Sequence, residues 1–303
     1  MFKDKLFNDL FVNAIAFTNC SVEHINRGVN INQNRVIAIT TLQMALELSI
    51  KAVLIKEKGV CSIFTNIDTH TSESEIEQRY SENRLKTKEF ENLKNLMKSD
   101  QYLSKRFGFD GSRYKHMERF QIYRNKLVHL NFIFSEKEQI QIEKDLLSVL
   151  VNIVGALLAD DKIINEERTF MQEYLKEKEY KKLLRNEMYI ETLNQYIKQE
   201  YGKSYFCPIC DKMLFIPIKK CLGCFNNFTF KKSFGFIKCK FCGENTVIYD
   251  RNNLDVNGNE ARGLCLNCQQ DTIVYECSIC GGIVDLEFLD SSDCRKSFCS
   301  SEQ

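Results

Sequence analysis

Cysteine carries the densest chemistry in this sequence. Fourteen cysteines occur among 303 residues, and twelve of them follow residue 206. Cys-x-x-Cys pairs recur at Cys207/Cys210, Cys221/Cys224, Cys239/Cys242, Cys265/Cys268 and Cys277/Cys280, followed by the looser Cys294/Cys299. Two thiolates on one tight turn fill two corners of a tetrahedron, and a second such turn closes the site, which is zinc chemistry. The segments SYFCPIC, FIKCKFCG and VYECSICGG arrive from aromatic or β-branched runs and read as opening knuckles, whereas KKCLGC and GLCLNC read as closing ones. This predicts one site from Cys207, Cys210, Cys221 and Cys224 and a second from Cys239, Cys242, Cys265 and Cys268. The third, from Cys277, Cys280, Cys294 and Cys299, is less regular, and interleaved pairing is the alternative. Four thiolates leave no open ligand position, so the two to three Zn²⁺ ions read as structural, and the module as dependent on them for folding. A disulfide scaffold is disfavoured in a chain read as cytosolic, and a lone redox dithiol by the repetition of the knuckles. Cys20 and Cys61 stand apart and read as buried small hydrophobes.

The second constellation is in the segment IYRNKLVHLNF, where Arg124 precedes His129 by five positions and Asn125 adjoins the arginine. Histidine exchanges protons near neutral pH, and arginine holds the charge that gathers on a phosphoryl transition state. Five residues on an ideal helix turn through about 140°, so the two side chains share no narrow stripe and must converge through their length. The competing readings are a surface ion pair for Arg124 and a core or cap role for His129. Arg113, Lys115, His116 and Arg119 form a basic cluster upstream, either a solvated helix face or, with Lys126, a guide for RNA. Glu47 lies four residues before Lys51 and can pair with it. His24 and His70 carry no constellation.

The elements that must position these residues divide the chain in two. The first 203 residues hold no proline and six glycines, and the last hundred hold both prolines and seven glycines, which puts the boundary near Tyr201 to Ser204. Before it the apolar spacing is helical, with stripes from Leu6 to Phe17, Val36 to Leu54, Phe90 to Met97, Arg113 to Phe132 and Ile140 to Leu158. Thr169 to Lys198 reads as one or two amphipathic helices, and Thr65 to Asn83 as a loop. After the boundary, Phe225 to Ile237 and Thr246 to Tyr249 read as strands, and Asn257-Gly258 as a hairpin turn. The predicted architecture is an α-helical bundle over 1–203 followed by a small β-rich zinc-ribbon module over 204–303.

Composition limits the function. The net charge of +1 excludes a chain that coats nucleic acid by bulk electrostatics. Locally, residues 204–250 carry seven lysines against three acids, with Phe and Lys interleaved in FNNFTFKKSFGFIKCKF. That pattern is either a strand-tracking surface or a phenylalanine core with a lysine rim. The N-terminal MFKDKLFNDLF alternates in charge and does not read as a secretory signal, and the apolar run Leu146 to Ala159 is too short to span a bilayer. A cytoplasmic protein with no membrane partner is expected.

The Arg124-Asn125-x3-His129 segment, late in a helical region, resembles the Arg-x4-6-His motif of HEPN domains, in which a polar residue commonly follows the arginine. Ala45-Leu46-Glu47-Leu48 resembles the acidic position on an earlier helix of that family. The resemblance covers residues 1–200 and implies metal-independent RNA cleavage by attack of the ribose 2′-hydroxyl. It implies His129 as acid or base, Arg124 as electrostatic stabiliser, Asn125 as the group orienting the phosphate, and Glu47 as the group orienting Arg124. It also implies a homodimer with both motifs at one cleft and a role as toxin or anti-phage defence effector. The zinc module would then bind RNA, a trigger, or a regulatory protein or antitoxin. The alternatives are a non-catalytic RNA-binding or adaptor protein dimerising through the helices, and a zinc-ribbon nucleic-acid-binding regulator.

Overall fold

The structure, a computed structural model, describes residues 2–68, 70–107, 111–130, 134–158, 174–217, 220–224, 228, 234–277 and 281–286. The chain divides into two compact units, Met1–Thr192 and Leu193–Gln303. The division falls inside a helix, somewhat before the composition shift at 201–204.

The first unit is helical. Its centre is the pair α1 (Phe2–Asn26) and α2 (Asn32–Lys58), which pack against each other. Ala14, Ala38 and Ala45 are fully buried, and residues that small let two helix backbones approach closely. Ile39, Leu42, Leu46, Ile50 and Leu54 bury the rest of α2. Among the described residues α2 is the one helix long and apolar enough to cross a membrane by length and composition, and most of that stretch lies inside this unit. A helix apolar on most sides is what the middle of a helical core requires.

Around this pair come α3 (Glu73–Ser81), α4 (Phe90–Ser99), α5 (Gln101–Phe107) and α6 (Ser112–Leu130). Next is α7 (Glu136–Val149), which runs through a π-helical turn at Leu150–Val154 into α8 (Gly155–Leu158). After them come α9 (Glu177–Leu183) and α10 (Glu187–Tyr201). Ser135 begins α7 with a capping box, its side chain taking the N–H of Glu138 while the Glu138 carboxylate takes the N–H of Ser135. One expectation about these helices needs correction. The stretch expected to be a loop contains α3, which buries only Ile76 and so shows no apolar period; Ser72 caps it by accepting from the N–H of Glu75. The amphipathic stretch ahead of the boundary, expected as one or two helices, forms two, α9 and α10, separated at 184–186, and its first residues lie outside the described set.

The second unit is β-rich. An antiparallel sheet of β1 (Tyr205–Cys207), β2 (Lys212–Ile216) and β3 (Lys220–Cys221) precedes a five-stranded antiparallel meander. The meander runs through β4 (Phe234–Ile237), β5 (Val247–Asp250), β6 (Glu260–Cys265), β7 (Asp271–Glu276) and β8 (Ile283–Asp285). Its core is Val247, Tyr249, Leu254, Ala261 and Val274 together with Cys239 and Cys265. Asn257-Gly258 is not a hairpin turn. Between β5 and β6 the chain forms α11 (Arg251–Asn257), capped at its start by Asp250 and ended by Gly258 in the left-handed region at φ 67°. A glycine that tolerates positive φ ends a helix as readily as it turns a hairpin, and the dipeptide alone does not distinguish the two. Phe228 is buried, with its ring 5.5 Å from Phe215 and 5.3 Å from Phe234. This phenylalanine is core; Phe225, Phe230, Lys231 and Lys232 lie outside the described residues.

Candidate functional site

Helix α6 presents two working faces. Gln121, Arg124 and Asn125, at spacings of three and four residues, line one side of a cleft of about 440 Å³. Gln43 and Glu47, one turn apart on α2, line it as well, as do Thr87, Lys88 and Phe90 before and at the start of α4. The segment carrying Thr87 and Lys88 is fixed by an isolated bridge between Phe64 and Thr87 and by the N–H of Lys88 donating to the Ile63 carbonyl at 2.7 Å. Lys88 Nζ donates to the Ser62 carbonyl at 2.6 Å, and burial lowers its pKa below the usual lysine range. Lys94 ties α4 to α6, donating to Gln121 Oε1 at 3.3 Å while pairing with Glu91 at 2.9 Å.

Within the cleft, Arg124 Nη1 donates to Asn125 Oδ1 at 3.0 Å. Glu47 pairs with Lys51 at 2.7 Å, and Lys51 also donates to Thr87 Oγ1 at 3.3 Å. Of the two roles open to Glu47, the pairing with Lys51 is the one present, while Glu47 and Arg124 share the lining of the cleft. An acid four residues before a lysine on one helix face meets that lysine first, and here the lysine side chain is nearly buried against it. His129 lies on α6 four residues beyond Asn125, and its side chain is outside the described residues, as is that of Arg113.

The other face of α6 is turned by about 160° from the first. His116, Arg119 and Tyr123 lie along it at spacings of three and four, and all three reach Asp145 of α7. His116 Nδ1 is 3.1 Å from Asp145 Oδ1, Arg119 donates from Nη2 at 2.8 Å and from Nε at 3.2 Å, and Tyr123 Oη donates at 3.0 Å. Asp145 is fully buried. Burial alone would raise its pKa, but the bonds from His116, Arg119 and Tyr123 hold the carboxyl well below the usual carboxylate range. Burial and the adjacent carboxylate push Tyr123 up to about 12. His116 and Arg119, read from sequence as RNA contacts, are thus anchors of α6 to α7. Lys126 is half-buried, and its charge helps hold Glu138 below the ordinary carboxylate range, behind the bonds from Ser135. Tyr123 also packs edge-on against the buried Phe134, over which Arg35 of α2 is stacked at 5.6 Å.

No family model, curated protein or solved structure matches this chain. Its chemistry is therefore read from its own geometry.

The cysteines gather into two sets, Cys207, Cys210, Cys221 and Cys224, and Cys239, Cys242, Cys265 and Cys268, with the sulfurs of each set all within 4.8 Å of one another. Cys207 and Cys224 lie 3.7 Å apart and Cys210 and Cys221 3.6 Å. In the second set the corresponding separations are 3.7 Å for Cys239 and Cys268 and 3.6 Å for Cys242 and Cys265. A tetrahedron with metal–sulfur bonds of about 2.3 Å has edges of about 3.8 Å, whereas a disulfide needs about 2.05 Å. Both sets therefore fit a four-thiolate metal ion and neither contains a disulfide. Neighbouring thiols push Cys210 and Cys221 well up, so ionising all four calls for a cation at their centre. Burial works against Cys265 as well, yet the N–H of Cys268 and the Thr246 hydroxyl outweigh it and bring this thiol down to about 7.

One backbone device builds the knuckles. The residue four after the first cysteine donates its N–H to that cysteine's carbonyl from positive φ: Asp211 to Cys207, Gly243 to Cys239, Gln269 to Cys265 and Gly281 to Cys277. The N–H groups of Cys239, Cys265 and Cys277 also all donate to the carbonyl five residues on. Cys277 thus opens a turn of the same construction, while Cys280, Cys294 and Cys299 lie outside the described residues.

Sequence reasoning missed Asp145, Tyr123, Gln43 and Lys88. Asp145 had a signal: with Ile142, Leu146 and Val149 it completes a helical apolar stripe, and an acid on such a stripe needs buried partners.

Proposed function

We propose that the protein is a metal-independent endoribonuclease of HEPN type. The observation that carries this reading is the cleft, in which Arg124 and Asn125, bonded to each other, share a lining with Gln43 and Glu47. In the reaction the ribose 2′-oxygen attacks the adjacent phosphorus, a new P–O2′ bond forms, and the bond to the 5′-oxygen breaks. His129 moves the proton from the 2′-hydroxyl or to the 5′-oxygen, leaving a 2′,3′-cyclic phosphate. Arg124 holds the charge on the phosphorus oxygens, and Asn125 steers the guanidinium. Glu47, engaged by Lys51, shapes the rim of the cleft and does not steer Arg124. Lys126 and Arg113 remain the candidate contacts for the RNA backbone. No metal ion takes part in this step.

Two copies related by a two-fold axis would bring both motifs to a common groove, so the active form is a homodimer. The two described cysteine sets hold structural Zn²⁺, with the third set completing three, and this module engages RNA, a trigger or a regulatory protein such as an antitoxin. The biological setting is a toxin or anti-phage effector of the cytoplasm.

The test uses the full chain with its metal bound, mixed-sequence single-stranded RNA, and the all-2′-deoxy counterpart. Cutting of RNA alone, with cyclic phosphate ends, and its loss by about 10²–10⁴-fold in Arg124→Ala and His129→Ala supports the reading. Intact RNA, or undiminished cutting by both variants, overturns it.

A further inference from the structure

One residue lining the cleft beside Arg124 carries a polar group that the fold leaves unsatisfied. Gln43, on α2, is 7% exposed, and its Oε1 is buried with no hydrogen-bond partner. A buried acceptor without a donor destabilises the protein that carries it, and such groups call for an explanation in terms of a ligand or another role. Gln43 lines the cleft of about 440 Å³, a size within the range of ligand pockets. Phe90 adds an aromatic ring to the same lining, and Arg124 adds a guanidinium.

An occupant that answers all three groups must offer an N–H to Gln43, a flat apolar face to Phe90 and an anion to Arg124. A nucleotide has these parts in one molecule. The other polar groups sharpen the choice of base. Glu89 stands at the same cleft with Glu47 and Glu91, which are paired with Lys51 and Lys94, so carboxylates outnumber the cations Lys88 and Arg124 in its lining. A base rich in N–H groups is favoured, and uracil, whose single N–H lies between two carbonyls, is disfavoured.

We propose that this cleft is a nucleobase subsite in which Gln43 Oε1 accepts from the exocyclic amino group of an unpaired adenine, cytosine or guanine while its phosphate lies at Arg124. The proposal rests on the nuclease reading for the identity of the natural ligand and adds to it a residue that determines specificity. The base must be unpaired, because a base held in a stacked duplex cannot enter the cleft and lay its face on Phe90, so the substrate class is single-stranded RNA.

The experiment measures equilibrium binding of the four 5′-mononucleotides to the full chain, independently of any cleavage. UMP is expected to bind about tenfold more weakly than the best of AMP, CMP and GMP, the effect of one buried hydrogen bond. Gln43→Leu, similar in volume and needing no partner, should bring the four to within about twofold of one another, while Phe90→Leu should weaken all four and keep their order. Equal binding of UMP, absence of nucleotide binding, or unchanged discrimination in a folded Gln43→Leu protein overturns the subsite. Cutting of RNA with no preference for the base beside the cut, alongside equal binding, would sink the subsite and leave the nuclease standing. Selective nucleotide binding with RNA left intact would do the reverse.

Discussion

Replacing Arg119 by alanine tests whether the basic cluster on α6 is an anchor or an RNA contact. In the wild type a fully buried carboxylate accepts two hydrogen bonds from Arg119 and one from Tyr123, with His116 Nδ1 3.1 Å away and itself 2.8 Å from Arg119 Nη2. Arg119→Ala leaves Asp145 in the interior with only His116 and Tyr123, and stranding a buried charge in this way costs about 3–5 kcal/mol. Asp145→Ala strands less, since the Arg119 side chain is 42% exposed and regains water. Its cost should be about 2–3 kcal/mol, mostly from the bonds lost by Tyr123 and His116. The double variant should resemble Asp145→Ala alone. Urea unfolding followed by the helical signal at 222 nm, with metal bound throughout, measures all three. The acid limb gives a second readout. A carboxyl whose folded pKa is depressed contributes stability above its unfolded pKa of about 3.9 and loses it as pH falls toward the folded value. The wild type should therefore lose up to about 1.4 kcal/mol per pH unit below about pH 4 from this group, and Asp145→Asn should lack that component. Parallel acid limbs for the two proteins, or an Arg119→Ala protein within about 1 kcal/mol of wild type, would refute the anchoring argument.

Metal analysis of the purified chain should find about three zinc ions, and Cys239→Ser should remove one of them and unfold the meander, as read by loss of near-ultraviolet tyrosine signal. Gly235→Ala should cost about 1–3 kcal/mol in thermal unfolding, because a Cβ on β4 would lie 2.0 Å from the Tyr249 ring on β5. Ser135→Ala should cost about 1 kcal/mol by the same measurement, since it removes the capping box that starts α7.

What was legible in the sequence follows from how local each determinant is. A Cys-x-x-Cys turn needs only six residues and one at positive φ, so knuckles at Cys239 and Cys265 were readable without knowing the sheet. The long helices were readable because Leu6, Leu42, Leu46 and Leu54 each answer to a buried stripe. Helix α3 was not, since one buried isoleucine makes no period. Asn257-Gly258 was misread because two structures use positive φ at the same dipeptide. At the candidate site, the sequence pointed to Arg124, Asn125 and Glu47, which share one cleft, and left Lys51 and Arg124 both open as partners of Glu47, but it could not show that His116 and Arg119 face α7. Which face of α6 meets which neighbour is set by Met117 and Phe120, buried side chains between the two polar stripes, and that is a property of packing among several helices.

The two faces of α6 also connect stability to chemistry. The Asp145 network fixes the rotation of the helix about its axis, and the opposite face takes its position in the cleft from that rotation. At a helix outer radius of about 5–6 Å, a turn of 10° displaces the end of a side chain by about 1 Å, a misplacement that can cost about 10²-fold in rate. Tyr123→Phe removes one bond to Asp145 without touching the cleft or stranding a charge. If the network holds α6 in register, this variant should remain folded yet cut RNA more slowly, through kcat rather than KM. A folded Tyr123→Phe protein that cuts at the wild-type rate would show that core packing of Met117 and Phe120 alone is enough to aim Arg124.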